Sequence, residues 1–160
     1  LENLNATGNK LVDIVGFVLM PNHFHFLLKQ VVDNGIARYL SLFTNSYTRY
    51  FNTRFSRPGP VFQGVFKAVH VESNAQLLHL SRYIHLNPYV SGFINKKDLP
   101  TFPWSSLPYY LSGTVNFIES TPILSQFKNV LSYKDFIFDH ADYAQELESV
   151  KHLTIDIEST

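Results

Sequence analysis

Cysteine is absent from this 160-residue chain, which excludes disulfides and thiolate-held metals. Charge is scarce, at 16% of residues against 45% hydrophobic ones. A chain this apolar can bury a real core, and its length suits one domain with a small appendage. Long apolar runs are missing too, since none approaches the roughly 18 residues a membrane helix needs. The opening LENLNATGNK lacks the basic and apolar regions of a signal peptide. Together these absences predict a soluble, cytoplasmic protein with no membrane partner.

Aromatics are plentiful instead, with 14 Phe and 9 Tyr. The formal net charge of zero hides an asymmetry. Residues 1 to 97 hold ten Lys/Arg against four Asp/Glu, whereas residues 98 to 160 hold three against nine. Polyanion binders concentrate charge in this way, although two solvated faces of opposite sign would give the same count.

Residues 11 to 19, LVDIVGFVL, are β-branched and aromatic and predict a strand. MPN supplies a turn, and HFHFLLK at 23 to 29 predicts a second strand, so the two form an antiparallel hairpin. Over 36 to 52 the apolar residues Ile36, Tyr39, Leu40, Phe43, Tyr47, Tyr50 and Phe51 follow helical spacing. SRPGP breaks the chain at 56 to 60, and VFKAVHV at 65 to 71 alternates well enough for a third strand. Ser73 suits the N-cap of a helix over 74 to 86 that ends before Pro88. KKDLPTFPWSS reads as an irregular crossing segment, and two or three short helices follow residue 112. The order β-β-α-β-α plus a helical tail predicts an α+β fold: an antiparallel sheet with helices on one face. The expected domains are residues 1–112 and a helical extension, 113–160.

Two stretches carry chemistry. In MPNHFHFLL, residues 20 to 28, His23 and His25 are two apart on a strand. Strand side chains alternate faces, so the imidazoles share one side, about 6 to 7 Å apart, while Phe24 and Phe26 point to the core. A divalent cation fits between such rings, and so would two satisfied surface histidines. In SRYIHLNPYVSG, residues 81 to 92, Tyr83 and Asn87 are four apart and share a helix face, with Arg82 and His85 elsewhere on the circumference. A tyrosine can attack phosphorus, and an amide oxygen suits a hard cation. An ordinary buried tyrosine with Asn87 capping the helix fits the same letters.

The two motifs, in this order and about 60 residues apart, resemble the HUH transposases with one catalytic tyrosine. More closely, the chain is similar to the REP-associated tyrosine transposases, relatives of the IS200/IS605 transposases. MPNHFHFLL resembles that group's histidine motif and YIHLNP, residues 83 to 88, its tyrosine motif. Weaker echoes are VFQGVFKAVHVES at 61 to 73 and PWSSLPYYLSG at 103 to 113, so the likeness spans roughly residues 11 to 113.

The resemblance implies a ferredoxin-like HUH core and metal-dependent cleavage and rejoining of single-stranded DNA through a 5′-phosphotyrosine. His23 and His25 match the metal-binding pair, Tyr83 the nucleophile, and Asn87 the residue that helps complete a Mg²⁺ or Mn²⁺ site. It further implies single-stranded or hairpin DNA as partner, a homodimer in one branch of the family, and association with the nucleoid.

Lys67, Arg82, Arg49, Arg54 and Arg57 are candidate DNA contacts by charge and position. Family members begin with a further strand ahead of the point where this chain starts, so an unpaired sheet edge is expected. After NP, the family's Val-Arg-Ala is replaced by Tyr89-Val90-Ser91. A catalytically impaired hairpin- or single-stranded-DNA-binding relative is the alternative. A water-using metal hydrolase and a plasmid nicking enzyme rank below it. Tyr47 and Tyr50 are expected in the core, His85 at the surface, Glu72 in a capping role, and Trp104 between tail and domain.

Overall fold

The computed structural model of the chain describes residues 10–113, 117–142 and 144–145. Its elements are β1 (Val12–Leu19), β2 (Phe24–Gln30), α1 (Gly35–Arg54), α2 (Asn74–Val90), a 3₁₀ helix (Lys96–Thr101), α3 (Leu107–Ser112), α4 (Thr121–Leu124) and α5 (Val130–Phe138). The class is α+β, with β1 and β2 forming a two-stranded antiparallel sheet. Two compact units result: Leu1–Asp13 with Leu28–Val71, and Ile14–Leu27 with Glu72–Thr160.

In the first unit, Leu11, Val12, Tyr39 and Leu40 are buried. Asn34 precedes α1 in the left-handed region, φ 58°, which asparagine tolerates better than most residues. Gly35 follows because nothing larger fits: an added Cβ would lie 2.2 Å from the Leu11 carbonyl oxygen. Arg54 sits in the last turn of α1, where a cation suits the negative end of the helix dipole. Beyond it the chain folds back on the helix. Asn52 Nδ2 donates to the Gly59 carbonyl at 2.8 Å. Tyr47 packs against Phe51 and Phe62, with ring centroids 5.9 and 5.6 Å away.

The third strand expected over 65–71 does not form: among the described residues the sheet contains β1 and β2 alone. Val65 and Val69 are 90% and 78% exposed. Alternating side chains favour an extended backbone, but a strand also needs a neighbour to complete its ladder.

In the second unit β1 is buried without a break from Ile14 to Val18, which explains the apolar run IVGFV there. Its register with β2 follows from two contacts. Met20 N–H donates to the His23 carbonyl at 2.9 Å, and Gly16 lies beside Leu27. Continuing that pairing sets Val18 opposite His25 and Phe17 opposite Phe26, and the Phe17 and Phe26 rings are 6.4 Å apart. The other edge of β1, expected to be bare, is covered. Leu19 N–H donates to the Trp104 carbonyl, Ser106 N–H to Phe17, and Glu119 N–H to Ile14, at 2.7, 2.9 and 2.8 Å. Loops laid along an edge strand in this way block unwanted pairing.

Ser73 caps α2, its hydroxyl accepting from Gln76 N–H at 3.2 Å. Gln76 Oε1 in turn accepts from Glu72 N–H at 2.8 Å, so Glu72 joins the cap through its backbone. The helix does not stop before Pro88 as expected but runs to Val90, with Pro88 buried inside it. A proline so near the helix end forfeits one backbone bond without disturbing a following turn. Its carbonyl then accepts from Phe93 and Ile94 N–H, which closes the terminus.

Two of the short helices expected after residue 112, α4 and α5, are present. They contribute Ile123, Tyr133 and Ile137 to a core shared with Ile84, Leu86, Leu107 and Tyr110. Each such side chain stabilises the unit by roughly 1.5–3 kcal/mol through burial. Among the described residues, no helix is long and apolar enough to cross a membrane.

Candidate active site

The hairpin delivers the two histidines side by side. Their ring centroids are 5.1 Å apart, edge to face. Phe24 and Phe26 contact one another on the same strand, centroids 5.2 Å apart. His23 is exposed, and its Nδ1 lies 2.7 Å from Asn22 Oδ1. An amide oxygen only accepts, so this bond places the proton on Nδ1 and leaves Nε2 with a free lone pair. Outer hydrogen bonds of this kind orient ligating imidazoles. His25 is half-buried. Burial, and then the neighbouring His23, hold its pKa below the ordinary value, which keeps the ring neutral and able to coordinate.

α2 brings the phenol to this pair. Tyr83 Oη lies 3.5 Å from His25 Nε2, at the outer limit of a hydrogen bond, and the two ring centroids are 5.2 Å apart. Tyr83 is 51% exposed, so its hydroxyl is open to a large substrate. One turn further along α2, Asn87 is buried. Its Oδ1 has no hydrogen-bond partner among the described residues. A buried amide oxygen left unbonded costs roughly 1–3 kcal/mol, and a cation or donor from a ligand would satisfy it. No group of three His, Cys, Asp or Glu is clustered for a metal among the described residues. The groups that could hold a cation here are the two imidazoles and, one turn beyond Tyr83, the Asn87 amide oxygen.

His85 differs from expectation. It is fully buried, not at the surface. Its position, two residues from both Tyr83 and Asn87, turns it about 200° around the helix, into the protein. Its Nδ1 and Nε2 lie 2.7 Å from Tyr133 Oη and from Ser106 Oγ. Ser106 also donates to the Phe17 carbonyl at 3.2 Å and accepts from Phe17 N–H at 2.9 Å. Tyr133 Oη, the His85 ring and Ser106 Oγ thus form one continuous buried hydrogen-bonded chain that ends on the Phe17 backbone. Burial pushes the His85 pKa down to about 3, so the ring stays neutral. The same helix that offers Tyr83 on one side is thus tied through the other to β1, the partner strand of His25. The helical angle between positions 83 and 85 was the available signal for this role. Its partners, Tyr133 and Ser106, had none in the sequence.

The remaining candidates fall elsewhere. The Arg82 guanidinium carbon sits 3.7 Å from the centroid of the Phe136 ring on α5, which commits that side chain to the helical tail. Burial lowers its pKa, opposed by nearby Asp139 and Tyr133. Arg49, Arg54, Arg57 and Lys67 belong to the first unit and are exposed. Tyr47 and Tyr50, expected in the core, are 41% and 64% exposed. Trp104, expected to pack the tail on the domain, is 59% exposed, and its backbone carbonyl makes the contact with β1.

Residues 4–87 match the family described as IS200-like transposase. The chain belongs to the IS200-like transposase family. The matched span runs through the histidine pair and Tyr83 and closes on Asn87. No curated protein and no solved structure matches the chain.

Proposed function

We propose that this IS200-like transposase cleaves and rejoins single-stranded DNA, with Tyr83 as the nucleophile and His23, His25 and Asn87 as the holders of a Mg²⁺ or Mn²⁺ ion. The observation that carries the reading is the approach of the Tyr83 hydroxyl to His25, 3.5 Å, from an exposed position on a different element. When bound, such an ion supplies Lewis acidity at the scissile phosphate. The imidazole pair and the Asn87 oxygen would hold such an ion, and the Asn22–His23 bond would keep one ring in the ligating tautomer. The Tyr83 oxygen attacks phosphorus from the open side. A bond forms between the phenol oxygen and phosphorus, and the bond from phosphorus to the 3′-oxygen breaks. The phenol proton leaves to solvent, and the departing 3′-oxygen takes one up. The 5′-phosphotyrosine so formed keeps the phosphoester bond energy, so reversal by another 3′-hydroxyl rejoins strands without a nucleotide cofactor.

The test is a covalent adduct. Purified protein incubated with a single-stranded hairpin oligonucleotide and Mn²⁺ is expected to give a band of protein plus DNA under denaturing conditions. Tyr83→Phe and EDTA should each abolish it, a loss of more than about a thousandfold. Binding without an adduct points instead to the catalytically impaired relative. Cleavage that survives Tyr83→Phe without a protein link rules out the nucleophile.

A further inference from the structure

An open tyrosine keeps a fixed place beside a histidine of another element only if its helix neither rolls nor slides. A phenol oxygen stands roughly 8 Å from its helix axis, so a roll of about 10° moves it by more than about 1 Å. Counted from Tyr83 at about 100° per residue, positions 82, 85 and 89 of α2 lie roughly 200° to 260° away, behind the tyrosine. All three meet the helical tail. The Arg82 guanidinium carbon is 3.7 Å from the Phe136 ring centroid. His85 Nδ1 is 2.7 Å from Tyr133 Oη. Tyr89 Oη donates to Asp142 at 2.9 Å, and Gln145 Nε2 donates to the Tyr89 carbonyl at 3.1 Å. Tyr133 is itself held: it is fully buried, with the Tyr110 and Phe127 rings 5.2 and 5.1 Å from its own. The tail residues that make these contacts lie beyond residues 4–87, the span that matches the family.

We infer that α5 is part of the catalytic apparatus: Tyr133, through His85, and Phe136, through Arg82, are positioning residues that set the roll of α2 and so the place of the Tyr83 hydroxyl. The inference rests on Tyr83 as the nucleophile and adds the part of the chain that aims it. Contacts at positions 82, 85 and 89 span about two turns, so they resist sliding as well as rolling. The Tyr89–Asp142 bond adds least, because that carboxylate is 70% exposed. A misplacement of about 1 Å costs on the order of a hundredfold in rate. Affinity for DNA does not depend on where one hydroxyl points.

The experiment uses the full chain and compares wild type with Tyr133→Phe, which removes one hydroxyl and keeps the ring, and with Phe136→Leu. Circular dichroism melts set an assay temperature at which every variant is folded. Three quantities are read: the single-turnover rate of adduct formation at saturating hairpin oligonucleotide with Mn²⁺, the DNA dissociation constant in EDTA, and the NOE between the Tyr83 and His25 ring protons without DNA or metal. Tyr133→Phe is expected to lower the saturating rate at least tenfold, leave the dissociation constant within twofold, and weaken the NOE. Phe136→Leu should do the same to a smaller degree, and Phe136→Tyr, which keeps a ring beside Arg82, should restore the rate. A purely structural role would lower the melting temperature and leave the rate of the folded protein and the NOE as in wild type. That outcome in Tyr133→Phe overturns the proposal, as does a loss confined to DNA affinity. If wild type forms no adduct, the nucleophile reading fails, and the NOE alone then decides whether α5 sets the place of Tyr83: unchanged in Tyr133→Phe, or missing in wild type, it overturns the proposal.

Discussion

Helices α1 and α2 expose tyrosines in opposite settings. On α1, Tyr50 stands open on the helix face that carries Arg49 and Arg54, and among the described residues neither arginine is in an ion pair. On α2, Tyr83 stands open beside His25, while the other side of the helix is held by a buried polar chain from Tyr133 through His85 to Ser106. One helix presents charge and ring area, which suit binding. The other presents a single oxygen at a fixed place, which suits chemistry. The difference teaches that precision in the second unit comes from buried hydrogen bonds behind the site, not from the exposed residues in it.

Three stability measurements sharpen this contrast. The largest effect is expected for His85→Ala, which leaves the Tyr133 and Ser106 hydroxyls short of a partner and opens a cavity. Urea denaturation should show a loss of about 4 kcal/mol. A loss below about 1 kcal/mol would mean that the polar chain does not anchor α2. Next comes Gly35→Ala in the first unit, where the added Cβ meets the Leu11 carbonyl at 2.2 Å. The backbone must shift, at a cost of about 3 kcal/mol read as a lowered melting temperature. A melting temperature equal to wild type would break the account of how α1 begins.

The smallest effect, per unit of pH, is electrostatic. The His85 ring titrates near 6.5 when unfolded and about 3 when folded. Between those values the unfolded chain holds a proton that the folded chain refuses. Its contribution is therefore full above about pH 6.5 and is lost as pH falls toward 3, by up to about 1.4 kcal/mol per unit. Denaturation curves at pH 4.5, 5.5 and 7 for wild type and His85→Phe should differ by this slope. Parallel pH profiles would show that the imidazole is not buried neutral.

The hairpin, both long helices and the Ser73 cap were legible because each is local. Alternation, helical spacing and turn residues act over a few positions. The family was legible for a different reason, since MPNHFHFLL and YIHLNP join two specific patterns in a fixed order. The end of α2 is not legible from Pro88, because the helix carries that proline in its last turn and runs on to Val90.

Sequence alone determined which residues alternate, which share a helix face, and which chemical groups are available: two imidazoles, a phenol and an amide oxygen. Tertiary structure decided what covers each face. It placed Tyr83 next to His25, sent His85 inward to meet side chains 21 and 48 residues away, left Tyr50 open and, among the described residues, built the sheet from β1 and β2 alone. Periodicity fixes the direction a side chain takes from its own backbone. Whether water or protein lies in that direction depends on segments distant in the chain, and no local pattern encodes them.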